Sequence, residues 1–202
     1  MRDETLLVVT GTWQGFSVDG HNGRCGLGIR LARLMPEKSV MWFSVARKPT
    51  AQACTEAFEK AREIGVDWIL WIDDDVVVYP NTYERLREVA DEKERPVVSA
   101  LAFFRQPPYW PSIFRYDRHP DGTTMPNTKP MPWLDYPRNQ LVKVDATGLC
   151  ATLIHRSVLD RIDTPWFMWE ADGNGSATPD CGCCIHRLLT GSDNGFRTTT
   201  QW

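Results

Sequence analysis

The sequence predicts an α/β fold: a mostly parallel central sheet flanked by helices, continuing into a mixed C-terminal part with long loops. Two observations predict it. Short apolar runs of buried-strand length recur at Leu6–Thr10, Val40–Val45, Asp67–Ile72 and Pro96–Leu101. The segments between them have helical spacing, and strands alternating with helices build a parallel sheet covered on both faces.

Each element has its own signals. The first run ends at Gly11, and a glycine-rich loop from Gly15 to Gly23 leads to a helix over Gly26–Leu34, with Leu27, Leu31 and Leu34 on one face and Arg30 and Arg33 turned outward. Thr50–Ile64 is Ala-rich, amphipathic and stopped by Gly65, so it predicts a second helix. Pro80 and Asn81 precede a third over Thr82–Lys93. Beyond Phe104 the prolines of Gln106–Pro111 and of His119–Pro137 exclude helices and predict long surface loops around short strands. A pair of strands around Gly148 within Leu141–Ile154, a short helix over Arg156–Ile162 and a last helix over Cys181–Leu189 complete the reading. We expect a single domain over residues 1–202, with residues 1–104 as one half and 105–202 as the other.

Composition excludes several classes. A chain of 202 residues, 42% hydrophobic and with a formal charge of −3, is an ordinary globular protein large enough for a sizeable core. The slightly acidic balance argues against a binder of duplex nucleic acid. No apolar run approaches the roughly 20 residues of a membrane span, and Met1–Glu4 begins without a signal peptide's apolar core, so a cytoplasmic protein without an integral membrane segment is expected. The 6 cysteines suit reduced thiols better than a disulfide framework.

The chemistry concentrates at Asp73-Asp74-Asp75, where the apolar run Trp68–Ile72 ends. Ligands of open α/β sheets bind at the carboxyl ends of strands. Three adjacent carboxylates between apolar runs repel one another, and a divalent cation offsets that cost. On an extended segment Asp73 and Asp75 face one side and Asp74 the other, and hard oxygen ligands suit Mg²⁺ or Mn²⁺ carrying a diphosphate. A solvated turn capping the next helix is the plainer alternative, but a cap needs one acid, not three. A calcium loop is excluded, because acids do not alternate with other residues and no glycine holds its sixth position.

The run from Asp67 to Leu86 resembles the nucleotide-sugar half of the GT-A glycosyltransferases, whose fold is Rossmann-like, especially family-2-like enzymes with a D-x-D motif after such a strand. The likeness continues through Pro96–Arg105, Val144–Arg156, Pro165–Glu170 and Thr178–Cys181. It implies a hexosyltransferase-type, metal-dependent enzyme moving a sugar from a UDP- or GDP-sugar to a hydroxyl acceptor, whether glycan, lipid-linked or small molecule. On that resemblance Asp73 and Asp75 are the metal pair, with Asp75 the direct ligand and Asp73 or Asp74 nearer the ribose. Thr10, Gly11 and Thr12 look like the base-binding edge. Asp180 matches the general base, although Pro179 replaces the acid that usually precedes it. Trp169, Glu170 and Asp172 lie on the implied acceptor side, and Gly148 resembles the small residue that lets the acceptor approach. The family's further metal-binding His beyond the last helix has no counterpart, and His186 is a poor substitute.

Independently of that likeness, Arg47 and Lys48, with Gln52 nearby, stand where they would meet phosphate or base, or serve as solvated charge. The loop from Gln106 to Arg138, with Trp110, Tyr116, Trp133 and Tyr136, has the length of a lid. Cys181, Cys183, Cys184 and His186 have soft ligand atoms, but helical spacing would not bring all of them to one zinc ion. No dinucleotide fingerprint or P-loop is present. His119 and His155 read as surface or structural residues. Two rival functions remain: a Mg²⁺-dependent phosphate-ester enzyme, either nuclease or nucleotidyltransferase, and a non-catalytic sugar or nucleotide-sugar binding domain.

Overall fold

A computed structural model of the chain describes residues 4–12, 18–35, 39–121, 131–162, 166–167 and 198–201. The elements in chain order are β1 (Leu6–Thr12), α1 (Val18–Leu34), β2 (Val40–Ala46), α2 (Thr50–Ile64), β3 (Trp68–Asp73), α3 (Thr82–Val89), β4 (Val97–Ala100), β5 (Ile113–Arg115), β6 (Met131–Pro132), β7 (Val142–Val144), β8 (Ala146–Thr147), β9 (Ala151–His155), α4 (Ser157–Arg161) and β10 (Thr198–Gln201).

A seven-stranded sheet has the order β2-β1-β3-β9-β4-β10-β7. Strands β1, β2, β3, β4 and β10 run one way, while β9 and β7 run against them. The predicted α/β fold with a mostly parallel sheet and a mixed second half is therefore the observed one. β9 enters antiparallel, returning from the long excursion after β4 without the helix that usually makes the crossover between parallel strands.

Alternation along the strands divides the core between the two faces. Ile69 and Trp71 of β3 join Leu7 and Val9 of β1 under Ala53, Cys54, Ala57, Phe58 and Ala61 of α2 and Val158 and Leu159 of α4. On the other face Trp68, Leu70 and Ile72 meet Leu27 and Leu31 of α1 and Tyr83 and Leu86 of α3. Each fully buried Val, Leu, Ile or Phe among them contributes about 1.5–3 kcal/mol. A smaller β6-β5-β8 sheet sits beside this body, with Ile113, Val142 and Val144 buried against Leu101, Trp133 and Tyr136.

Two helix boundaries differ from the sequence expectation. α1 begins at Val18, inside the segment expected to be a glycine-rich loop. Its glycines serve close packing: a Cβ at Gly23 would lie 2.7 Å from the Val78 carbonyl oxygen, and one at Gly26 would lie 3.1 Å from Pro80 Cγ. α3 stops at Val89, short of Lys93, because Ala90 turns extended and the Asp91 carboxylate accepts the Lys93 and Glu94 N–H groups at 2.9 and 2.8 Å. α2 keeps its expected limits, closed by Gly65 at φ 76° with its N–H on the Ala61 carbonyl at 3.0 Å. The expected helix over Cys181–Leu189 lies outside the described residues. β10, which the sequence reading missed, is a run of threonines without the apolar signature of a buried strand.

Candidate functional site

The carboxyl ends of the first three strands meet at one edge of the sheet. Gly11 of β1 is in register with Asp73 of β3 and with Val45 of β2, and Thr12 pairs with Ala46. Arg47 follows at once, exposed and at a left-handed φ of 58°, a conformation unusual for a residue with a side chain. α2 starts just beyond, bringing an exposed Gln52 into its first turn. The structure thus gathers Gly11, Thr12, Asp73, Arg47 and Gln52 at one end of the sheet. Thr10 is 2% exposed, so its side chain faces the interior.

The acidic triplet does not continue β3. The chain turns after Asp73, with the Val76 N–H on the Asp73 carbonyl at 3.2 Å, so the strand-like alternation expected through Asp75 ends at Asp73. The three carboxylates have different surroundings. Asp73 is half-buried, and its Oδ1 accepts the Trp71 indole N–H at 2.7 Å. Burial holds its carboxyl above the ordinary aspartate range; the Trp71 N–H opposes this, the Asp74 charge adds to it and Arg24 opposes it again. Asp75 is exposed and pairs with Arg105, Nη2 to Oδ2, at 2.6 Å.

Two basic groups organise this edge that the sequence reading passed over. Arg24, buried on α1, donates to the Asp73 carbonyl oxygen. The close approach allowed by Gly23 and Gly26 puts it there, and those small residues at helical spacing were the available signal. Arg105 comes from the hairpin after β4; nothing in its local sequence marks it. Lys48 instead forms an ion pair with Glu56 of α2.

Behind Asp73 lies the turn before β9. The Asp73 N–H donates to the Cys150 carbonyl at 2.9 Å, and burial followed by the Asp73 charge pushes the Cys150 thiol up to about 11. Gly148 is buried, its N–H on the Ser112 carbonyl at 2.9 Å; a Cβ there would lie 3.2 Å from Cys150 Sγ and 3.3 Å from Ser112 Cβ. A side chain there would therefore crowd Cys150 and Ser112 beside the triplet. Of the aromatic residues expected in a lid, Trp110 is exposed, whereas Tyr116 is buried and Trp133 and Tyr136 pack on the small core. Those three cannot swing over a ligand without uncovering apolar surface. His155 has structural partners, Ser157 Oγ at 2.9 Å and the Trp68 ring edge-on at 4.7 Å between centroids.

Asp180, Trp169, Glu170, Asp172 and His186 lie outside the described residues. Among the described residues no three His, Cys, Asp or Glu side chains converge into a metal cluster, and no helix is long and apolar enough to cross a membrane. The donor set at the triplet, hard carboxylate oxygens with Asp75 open to water, fits a divalent cation that keeps waters and phosphate oxygens as its other ligands.

No protein-family model and no curated protein matches the sequence. Among solved structures the chain is similar to the crystal structure of A197 from STIV, with a TM-score of 0.54 and 18% identity over 99% of this chain and 81% of that one. It is also similar to a glycosyltransferase involved in the glycosylation of the major capsid of PBCV-1, with a TM-score of 0.40 and 12% identity over 80% of this chain and 69% of that one. The likeness to A197 is one of fold: a mixed, mostly parallel sheet flanked by helices, compatible with a GT-A-like architecture.

Proposed function

We propose that the chain is a metal-dependent glycosyltransferase that takes a sugar from a nucleoside-diphosphate donor and delivers it to a hydroxyl acceptor. The observation that supports this most is the register of Gly11 with Asp73, which sets the carboxyl end of β1 beside an acidic turn at the carboxyl ends of parallel strands. The carboxyl end of a parallel strand suits a nucleotide, and the acidic turn suits a cation-bound diphosphate.

In this reading Asp75, with Asp73, would hold Mn²⁺ or Mg²⁺, and Asp73 or Asp74 would lie nearer the ribose. A cation held there would supply charge neutralisation to the diphosphate that leaves as the acceptor oxygen bonds to the sugar. Everything else falls to the chain. Thr10, Gly11 and Thr12 border the base at the end of β1, and Arg47 and Gln52 flank it from the end of β2 and the start of α2. The Trp71 N–H and Arg24 keep Asp73 in one orientation. Asp180 accepts the proton of the acceptor hydroxyl as that oxygen attacks the sugar, and Gly148, Trp169, Glu170 and Asp172 shape the acceptor side.

Calorimetric titration of UDP, GDP and their sugars, with and without Mn²⁺, tests this reading. Binding of one nucleotide only when metal is present supports it. No binding to any of them under either condition overturns it and favours a phosphate-ester enzyme, which would release phosphate or pyrophosphate without needing a sugar. Binding without any hydrolysis or transfer, with affinity indifferent to Asp180→Asn, favours a non-catalytic binding domain.

A further inference from the structure

We propose that Arg105 is a diphosphate-binding residue that Asp75 holds while the donor is absent and releases when a metal-bound diphosphate arrives. This rests on the donor site proposed above.

The hairpin that carries Arg105 is braced. Ser112 N–H meets the Ala102 carbonyl at 2.8 Å, Phe104 N–H the Trp110 carbonyl at 2.9 Å and Tyr109 N–H the Gln106 carbonyl at 2.9 Å. Phe104 packs edge-on against Phe114 with ring centroids 6.4 Å apart. From this fixed base the guanidinium reaches back to the triplet, with Nη2 at 2.6 Å from Asp75 Oδ2 and 3.2 Å from the Asp75 carbonyl oxygen. It therefore stands at the carboxylate assigned to the metal.

The pair is open to water, with 66% of the Arg105 side chain and 51% of the Asp75 side chain exposed. An ion pair this exposed is weak and easily exchanged. One carboxylate cannot serve a guanidinium and a divalent cation equally, because the two cations repel across it. A planar guanidinium released beside a diphosphate finds paired acceptor oxygens that fit its fork as a carboxylate's do and that carry more negative charge. The neighbouring basic groups are placed differently: Arg24 is buried on the Asp73 carbonyl, and Lys48 is engaged with Glu56. Arg105 sits at the surface of the same turn, on a side chain long enough to change partners without moving the hairpin.

The exchange predicts opposite signs from one substitution. Arg105→Ala frees Asp75, so Mn²⁺ alone, followed by electron paramagnetic resonance of the unbound ion, binds about two- to fivefold tighter than to the wild type. The same variant loses a phosphate contact, so magnesium pyrophosphate, a diphosphate without a base, binds about tenfold more weakly by calorimetry. Arg105→Lys, which keeps the charge and loses the fork, falls between wild type and alanine for pyrophosphate. Equal affinities in wild type and Arg105→Ala, or a change in one ligand alone, overturn the exchange while leaving the donor site standing. A wild type that binds neither probe overturns the donor site and the exchange with it. Arg105 is exposed, and matching thermal unfolding of wild type and variants establishes that the readouts are local.

Discussion

A Cβ placed on Gly11 would sit 2.9 Å from Cζ2 of Trp71, so the indole of β3 occupies the space that any side chain on β1 would need. The same indole donates to Asp73, which links the packing at Gly11 to the orientation of the first acid of the triplet.

Gly11→Ala is therefore expected to displace a buried ring, 1% exposed. The cost is about 1–3 kcal/mol, as for overpacking elsewhere in a core. Urea unfolding with tryptophan fluorescence checks it. An unchanged midpoint would mean that the ring shifts freely and that the Trp71–Asp73 contact is not fixed.

A second expectation concerns pH. Arg87 hydrogen-bonds Glu4, with Nε to Oε2 at 3.0 Å, and its guanidinium lies 4.7 Å from the Trp68 ring centroid. The hydrogen bond to Arg87, outweighing the opposing effect of burial, holds the Glu4 carboxyl below the ordinary glutamate range. A carboxyl lowered in the native state contributes stability that is present above its unfolded value and is lost as pH falls through the native one. Wild type is thus expected to lose stability relative to Glu4→Gln between the ordinary glutamate value and the lower native one. Denaturation of both proteins across that acidic window decides, and parallel curves would remove Glu4 as the source.

Cys150 is expected to resist alkylation. A thiol at about 11 carries little thiolate at pH 8, so the folded protein should label there on the order of a hundredfold more slowly than the urea-unfolded chain. Peptide mass spectrometry after a timed iodoacetamide pulse reads this site by site. Fast labelling in the folded state would show that the turn behind Asp73 opens.

For the proposed reaction, Asp75→Ala is expected to abolish metal-dependent donor binding, while Asp180→Asn leaves binding intact and stops transfer. Calorimetry and a product assay separate the two effects. Full activity in both variants would remove the assignment of these acids.

Some of this was legible in the residues and some was not. The strands β1, β3 and β4 and the helix α2 announce themselves through apolar runs and a glycine stop, because burial leaves little freedom of composition; β2 reads as an apolar run as well, although it is the edge strand and Val45 is its one buried residue. The acidic triplet is legible as a departure from such a run. The start of α1 was not, since Gly20, Gly23 and Gly26 carry a loop's composition while Gly23 and Gly26 serve contact with Val78 and Pro80. Arg24 and Arg105 were not either: what makes each notable is a partner far away in sequence. β10 hides for a related reason, as its four polar residues become a strand through pairing with β4 and β7.

The position of β9 has a consequence for synthesis. β3 and β4 do not touch as neighbours; β9 lies between them and pairs with both. A nascent chain that has emerged only as far as the end of β4 consequently holds a three-stranded ribbon, β2-β1-β3, with an unpaired flank and a fourth strand that has nowhere to dock. Closure waits until residue 155 leaves the ribosome, and the edge that carries Asp73 is framed on its second side only then. Contacts this distant along the chain form slowly, leaving an apolar flank exposed during translation that would be a target for holding chaperones.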